Sequence, residues 1–304
     1  PLDCRPGETC WLMNLPDTDP GPAARDFRCR PRSYDKHDGT DLAVADLRAM
    51  QAGVAVRAAA AGTVLQTRDG EEDGRWLRGD GAAIRAAKRE CGNRVAIAHG
   101  DGWVTDYCHL KQGSVIVKKG DKVAAGQAIG QVGLSGMTEF PHVHLGLLRF
   151  APGQNTGVAV DPFTGVALSE GCGKPAGGLW NGLGYQPVAL YAVGLADHVP
   201  AAEALKSDSA TPEAMPRTAP ALVVWGTMFG VAPGDKVTMT LQGPDGAVID
   251  TKAVSLDRDQ AWHMRAFGKK TPPGGWPAGR YVGRVTLERE GEPPQAREAA
   301  IVLR

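Results

Sequence analysis

Residues 135–146 read SGMTEFPHVHLG, and the interpretation of the whole chain starts from this stretch. His142 and His144 stand two positions apart inside a short apolar run. In a β-strand, residues i and i+2 project from one face, so both imidazoles would point at one spot with their Cα atoms roughly 7 Å apart. That spacing suits one imidazole as a metal ligand and the other as a group that reaches a water on the metal. Two unrelated histidines are the alternative interpretation of this pattern when it occurs alone.

A second candidate lies at residues 37–41, which read HDGTD. His37 and Asp41 can converge if the backbone turns at Gly39, because glycine tolerates positive φ. An imidazole nitrogen and a carboxylate oxygen are both common zinc ligands. The same spacing is also frequent in surface turns, which is the alternative here.

A hairpin is predicted around residues 99–102, because apolar alternation runs on both sides of this His-Gly-Asp-Gly turn. Cys91 and Cys108 flank the turn at nearly equal distances, which places them opposite each other and predicts a disulfide. Alternation also places Cys108 and His109 on opposite faces of the strand. If His109 faces a site, Cys108 does not, which favours a disulfide over metal ligation for Cys108.

The composition excludes several classes of protein. The 304 residues include 34 basic and 34 acidic side chains, so the net charge gives no reason to expect nucleic acid or an anionic membrane as a partner. No apolar run approaches the roughly 20 residues that a membrane span needs. The six cysteines are an even number without a CxxC pair, which favours disulfides in an oxidising compartment over a cysteine zinc site. Cys4, Cys10, Cys29 and Cys172 can pair in three ways, and their spacing does not choose among them.

Two domains are predicted, over residues 1–176 and 177–304. Many glycines, prolines and short alternating runs indicate a mainly β fold, and the second domain reads as a small, Ig-like β-sandwich. Residues 1–33 are rich in Pro, Asp and Cys, and we expect an irregular segment stapled to the first domain. Since the chain starts at Pro1 without a charged-then-apolar leader, we interpret it as a mature or trimmed form. Residues 68–90 are a charged, Gly-rich insertion, which we expect to be either a wall of a substrate cleft or a mobile loop.

Three motifs occur in order along the chain: HDGTD at 37–41, YCHL at 107–110 and PHVHL at 141–145. The segment GNRVAIAHGDGW precedes the second motif, and VKKGDKVAAGQAIGQVGLSG precedes the third. In this order they resemble the lysostaphin-type zinc endopeptidases, which cut the peptide part of bacterial peptidoglycan. The resemblance covers about residues 34–165 and implies an antiparallel β-sheet domain of the duplicated-hybrid-motif type.

The resemblance further implies that His37, Asp41 and His144 bind Zn²⁺, and that His109 and His142 handle protons and developing charge. Two histidines and one aspartate leave a tetrahedral position open for water, which is typical of a catalytic zinc site. Zinc lowers the pKa of its bound water from 15.7 to about 7, which makes hydroxide available at neutral pH. Which of the two remaining histidines accepts the proton stays open.

This chain departs from the usual family pattern at Cys108, where alanine is more frequent, and at Val143, where leucine is more frequent. Neither change removes a functional group. We therefore predict a secreted or periplasmic zinc metalloendopeptidase acting on peptidoglycan cross-links or stem peptides, without a nucleic-acid partner or transmembrane segment. The alternatives are a catalytically silent peptidoglycan-binding or amidase-activator protein, and a peptidase for ordinary proteins.

Overall fold

The computed structural model describes residues 1–175, 177–180 and 183–304, and these residues divide into two compact units, Pro1–Tyr185 and Gln186–Arg304. The first unit extends nine residues past the expected boundary at residue 176. The reason is visible at Tyr185, whose hydroxyl donates a hydrogen bond to Asp26 and whose ring packs edge-on against Phe27. Residues after 176 therefore cover the core of the first unit.

The first unit consists mainly of short β-strands with three helical turns. Its strands are β1 (Cys10–Asn14), β2 (Gly39–Val44), β3 (Ala55–Arg57), β4 (Gly62–Arg68), β5 (Asn93–Ala98), β6 (Trp103–Leu110), β7 (Lys122–Val123), β8 (Ala128–Gln131), β9 (His142–Arg149) and β10 (Val158–Ala159). Its helices are α1 (Leu47–Ala52), α2 (Gly81–Ala86) and a 3-10 turn at Leu168–Glu170.

The main element of the first unit is one eight-stranded antiparallel sheet. Its strand order is β1-β2-β9-β6-β5-β4-β7, with β10 paired to β9, while β3 and β8 form a separate two-stranded sheet. One face of the large sheet is apolar, because alternate residues of β9 such as Val143 and Leu145 are buried in the core. The opposite face therefore presents the other set of alternate residues, among them His142 and His144.

The predicted hairpin is present as β5 and β6. Its turn holds three consecutive residues at positive φ, Gly100, Asp101 and Gly102, a backbone that glycine and aspartate tolerate better than most residues. Cys91 and Cys108 form the predicted disulfide, with their Cα atoms 4.9 Å apart.

The N-terminal segment is stapled to the first unit, but the expectation that it is irregular throughout is wrong. Cys4 pairs with Cys10, and Cys29 pairs with Cys172. Residues 10–14, with the sequence CWLMN, form an edge strand whose residues are all buried. This apolar run pairs with β2, and its side chains become buried as a result.

The second unit is a β-sandwich. Its elements are β11 (Ala189–Ala196), α3 (Ala202–Ser207), β12 (Ala214–Met215), β13 (Ala221–Val231), β14 (Lys236–Gln242), β15 (Val248–Ser255), β16 (Gln260–Lys270), β17 (Gly279–Glu288) and β18 (Gln295–Leu303). One sheet has the order β11-β13-β16 and the other the order β12-β18-β17-β14-β15. Side chains of both sheets share one apolar core. The prediction of a mainly β, antiparallel fold is thus confirmed.

Candidate metal centre and active site

The pairing of β2 with β9 brings the first and third motifs together. Asp41 is the direct neighbour of His144 across the two strands, and His37 lies just before β2. Asp41 Oδ1 is 3.1 Å from His37 Nε2 and 3.1 Å from His144 Nδ1, and the two nitrogens are also 3.1 Å apart. Three potential ligand atoms from residues far apart in sequence thus form a nearly equilateral triangle.

Hydrogen bonds on the far side of each imidazole fix its orientation. His37 Nδ1 donates to the carbonyl of Leu15 at 2.7 Å, and His144 Nε2 donates to Asp38 Oδ1 at 3.2 Å. In the neutral rings, the nitrogens that face Asp41 therefore carry lone pairs. A partner that holds the second ring nitrogen in this way is usual for histidines that bind metals.

Two residues outside the three motifs shape the same site. Asn14, at the end of β1, donates from Nδ2 to Asp41 Oδ2 at 2.9 Å, so the second carboxylate oxygen is also held. Tyr34 stacks on the His37 ring with centroids 4.4 Å apart. The site is consequently supported from β1 as well as from the strands that carry the motifs.

The donor set fits a divalent cation. Three lone-pair atoms at 3.1 Å repel one another unless a proton or a cation lies between them. His37 and Asp41 are buried, and His144 is partly exposed. A tetrahedral zinc ion with bonds of about 2.0–2.1 Å sets its ligand atoms about 3.3–3.4 Å apart, close to the spacing seen here. His37, Asp41 and His144 are therefore arranged as a three-ligand site.

The structure places His109 and His142 beside this triangle. The ring of His142 is 4.8 Å from that of His109, and its Nε2 is 3.3 Å from Asp41 Oδ1. In both residues, Nδ1 donates a hydrogen bond to a backbone carbonyl: His109 to that of Ser135 at 2.8 Å, and His142 to that of Phe140 at 2.7 Å. Each neutral ring therefore presents an unprotonated Nε2.

The expected alternation at the end of β6 is wrong. Cys108 pairs with His144 in the sheet and so belongs to the site face, yet His109 also reaches the site. His109 has φ of +62°, a left-handed conformation that breaks the alternation of the strand. A non-glycine residue in this conformation is a strained position of the kind found at functional sites.

The insertion holds the segment that orients His109. Asp73 accepts hydrogen bonds from the backbone nitrogens of Leu134 and Gln112, at 2.7 and 3.1 Å, and its backbone bridges to Ser135. Ser135 in turn supplies the carbonyl for His109. Asp73 is thus bonded both to Gln112, three positions after His109, and to the Leu134 and Ser135 segment that holds the His109 ring.

Burial and neighbouring charge shift the pKa values at the site. Burial, reinforced by His142 and His144, lowers the pKa of His109 well below its ordinary value, so its ring is neutral at neutral pH. Burial opposes ionisation of Asp41, but the imidazoles of His37 and His142 outweigh it and hold the pKa of Asp41 well below its usual range. Burial also acts to lower the pKa of His144, whereas Asp38 and Asp41 raise it to about 10. In the metal-free protein, a proton on His144 thus takes the place of the cation.

The comparison with known proteins covers the same part of the chain. The sequence model of peptidase family M23 matches residues 35–162. Peptidoglycan DD-endopeptidase ShyA of Vibrio cholerae is 39% identical over 74 residues, which are 24% of this chain and 17% of that protein. Cell division protein DipM of Caulobacter vibrioides is 43% identical over 61 residues, 20% of this chain and 10% of that protein. The chain thus matches only a small part of the length of these relatives.

Similar chains are also found among solved structures. The catalytic domain of lysostaphin from Staphylococcus simulans is 25% identical, with a TM-score of 0.29, and the match covers 42% of this chain and 76% of that domain. The match of the family M23 model to residues 35–162 supports the predicted resemblance to the lysostaphin-type peptidases and the predicted metallopeptidase class.

Proposed function

We propose that the first unit is a zinc-dependent endopeptidase that hydrolyses amide bonds in peptidoglycan cross-links or stem peptides. The observation that carries this proposal is the triangle of lone-pair atoms from His37, Asp41 and His144, which a divalent cation would fill. The family match supports a peptidase, and the endopeptidase named among the relatives supports peptidoglycan as the substrate.

In this proposal, His37 Nε2, Asp41 Oδ1 and His144 Nδ1 hold the metal. Zinc bound there would supply a Lewis acid and lower the pKa of a bound water to about 7. Leu15 and Asp38 aim the two ligand nitrogens inward, and Asn14 fixes the carboxylate. The proton on His144 would be replaced by a bound metal. These contacts preorganise the ligands before the metal binds.

His109 and His142 are the proposed proton-handling pair. Their unprotonated Nε2 atoms lie on the metal side of the sheet, and each is held by a carbonyl at the opposite nitrogen. One of them can accept a proton from the attacking water at Nε2, while the other, once protonated, donates a hydrogen bond to the substrate oxygen and a proton to the leaving amine. Because its pKa is lowered, His109 is neutral at neutral pH, and once protonated it is a strong proton donor.

An extracytoplasmic location belongs to the same proposal. The structure contains three disulfides, which persist in oxidising compartments. Among the described residues, none of the helices is long and apolar enough to span a bilayer. Peptidoglycan, the proposed substrate, lies in the same kind of compartment.

Digestion of purified peptidoglycan tests the function. We expect the protein to release soluble fragments whose masses identify an amide cleavage, to lose this activity with a chelator, and to regain it with zinc. A His109→Ala variant is the matched inactive control, and casein tests general proteolysis. Binding to peptidoglycan without release of fragments by the zinc-loaded protein would contradict the proposal and favour a silent binding or activator protein.

A further inference from the structure

A row of charged side chains continues from the metal centre across the same face of the sheet. Cys108 pairs with His144, and Ala96 pairs with Asp106, so alternate residues of β6 and β5 share the face of the site. Arg94, two positions before Ala96, belongs to the same set.

Arg94 is neutralised within this row. Its guanidinium forms a two-point ion pair with Asp106, through Nε to Oδ1 at 3.1 Å and through Nη2 to Oδ2. Both side chains are only partly exposed, at 25% and 18%. This pair therefore leaves neither charge free for a ligand.

Arg68 lies directly opposite Arg94, at the end of β4. Like charges in directly opposed positions of a sheet destabilise it, so a compensating role for the second arginine is expected. Arg68 Nε donates to the carbonyl of Gly92 at 2.6 Å, which fixes the plane of the guanidinium. Within the part of the chain that the structure describes, no carboxylate forms an ion pair with Arg68, and its two Nη groups remain available.

Charges of both signs surround Arg68. Burial, together with the charges of Arg89 and Arg94, lowers the pKa of its guanidinium, and the more weakly acting carboxylates of Glu71 and Asp106 oppose this shift. Arg89 comes from the insertion and is paired with Glu71, 3.1 Å away, while Arg94 is paired with Asp106. Arg68 is thus the member of this group without a carboxylate partner, which is the arrangement of a site prepared for an anion.

The strand order gives the distance between Arg68 and the strand that carries His144, beside which the scissile bond would lie. Three strand-to-strand steps separate β9 from β4, which amounts to about 14 Å. An extended peptide advances about 3.3–3.6 Å per residue, so this distance corresponds to about four residues.

We propose that Arg68 forms an anion subsite that binds a free carboxylate of an acidic peptide substrate, about three to four residues from the scissile amide. This inference rests on the proposed endopeptidase function and adds a substrate feature to it. The Nη1 and Nη2 donors would bind the two carboxylate oxygens side by side, while Gly92 holds the guanidinium in place.

A set of cross-linked peptides tests the subsite. All members have the same sequence, and each carries a free carboxylate at one position and carboxamides at the others. We expect the zinc-loaded protein to favour the carboxylate at one position three or four residues from the cleaved bond, by about 10- to 100-fold in kcat/KM. Arg68→Gln should lose this preference by slowing cleavage of that peptide alone, and Arg68→Lys should retain part of it.

The matched control is Arg57→Gln, because Arg57 lies on the separate two-stranded sheet, where it pairs with Asp3. It should keep the preference. Equal rates of Arg68→Gln and the wild type on every peptide, or an equal loss on all of them, would overturn the subsite while leaving the endopeptidase intact.

Equilibrium binding of the same peptides separates the two proposals. If the wild type cleaves none of them, the endopeptidase proposal fails, and the subsite is then decided by binding. Tighter binding of the same carboxylate peptide to the wild type than to Arg68→Gln would support the subsite. Binding that is independent of the carboxylate would refute it.

Discussion

Gly39 lies so close to the imidazole of His144 that a Cβ at position 39 would stand 2.4 Å from His144 Nε2 and 2.8 Å from the carbonyl oxygen of Leu145. The glycine of the first motif thus makes room for the proposed ligand of the third motif, across the β2–β9 pair. This requirement is for space, because the glycine does not adopt a left-handed φ.

Gly39→Ala should therefore weaken both the metal site and the fold. Since the added methyl group must displace His144 or part β2 from β9, we expect lower zinc affinity and a loss of about 1–3 kcal/mol in the free energy of unfolding. Zinc titration and urea unfolding measure the two effects. Gly184→Ala is the control, because a Cβ there meets no heavy atom within 4 Å. Unchanged zinc affinity in Gly39→Ala would show that the close contact has no role in the site.

The ligand set can be tested by metal content. His144→Ala and Asp41→Ala should each lose most of their zinc on dialysis, because two ligands hold the ion much less firmly than three. His109→Ala should retain zinc and lose activity, since His109 is placed beside the metal ligands. Full zinc occupancy in a folded His144→Ala protein would rule out the proposed set.

Asn14→Leu tests the support from β1. Because Asn14 Nδ2 holds the outer oxygen of Asp41, its removal should lower zinc affinity by about 10- to 100-fold. Thr40→Val is the matched control beside Asp41: the Thr40 hydroxyl is buried without a hydrogen-bond partner and faces away from the site. We expect Thr40→Val to keep its zinc and to lose no stability. Equal zinc affinities of the Asn14→Leu and Thr40→Val proteins would refute the role of Asn14.

Asp73→Ala tests whether the insertion orients His109. Loss of its bonds to Leu134 and Gln112 should loosen the Ser135 carbonyl and lower kcat/KM by about 10- to 100-fold, with zinc still bound. Glu72→Ala is the control, because it removes only an exposed ion pair with Arg78. Wild-type activity in Asp73→Ala would leave the insertion without a part in positioning His109.

Asp161 should make the stability of the first unit depend on pH. Burial raises the pKa of its carboxyl to about 6, and the charge of Asp26 acts in the same direction. The folded protein therefore binds the proton more tightly than the unfolded chain between about pH 4 and pH 6. The contribution of Asp161 to the free energy of unfolding falls as the pH rises through this window, by up to about 3 kcal/mol.

Asp161→Asn should accordingly be more stable than the wild type at pH 7.5 and should lose this advantage at pH 4.5. Urea unfolding at the two pH values measures the difference. Asp101→Asn, in the exposed hairpin turn, serves as the control and should show no such change. An equal effect of Asp161→Asn at both pH values would contradict the assignment.

The sequence was sufficient to predict the features that depend on local periodicity. Residues two positions apart share one face of a strand, which places His142 beside His144. Cys91 and Cys108 lie at nearly equal distances from the hairpin turn, which places them opposite each other. Most strands of both units also follow from alternation. The predicted ligand and proton-handling roles came from the order of the three motifs.

The supporting residues could not be predicted in this way. Asn14 and the carbonyl of Leu15 come from a strand that pairs with β2 only in the folded sheet, and no local pattern connects them to His37. The left-handed conformation of His109 also overrode the alternation of β6. Asp38 lies inside the first motif, and its position next to the proposed ligand His37 is the one signal that could have pointed to its contact with His144.

The bond between Cys29 and Cys172, 143 positions apart in the sequence, closes the chain between them into a covalent ring. All five proposed catalytic and ligand residues lie inside this ring, together with the insertion. A single cut by another protease anywhere in the ring opens a loop but releases no fragment. In a protease-rich surrounding, the domain can therefore be nicked while its parts stay covalently joined, and only a second cut or a reductant separates them.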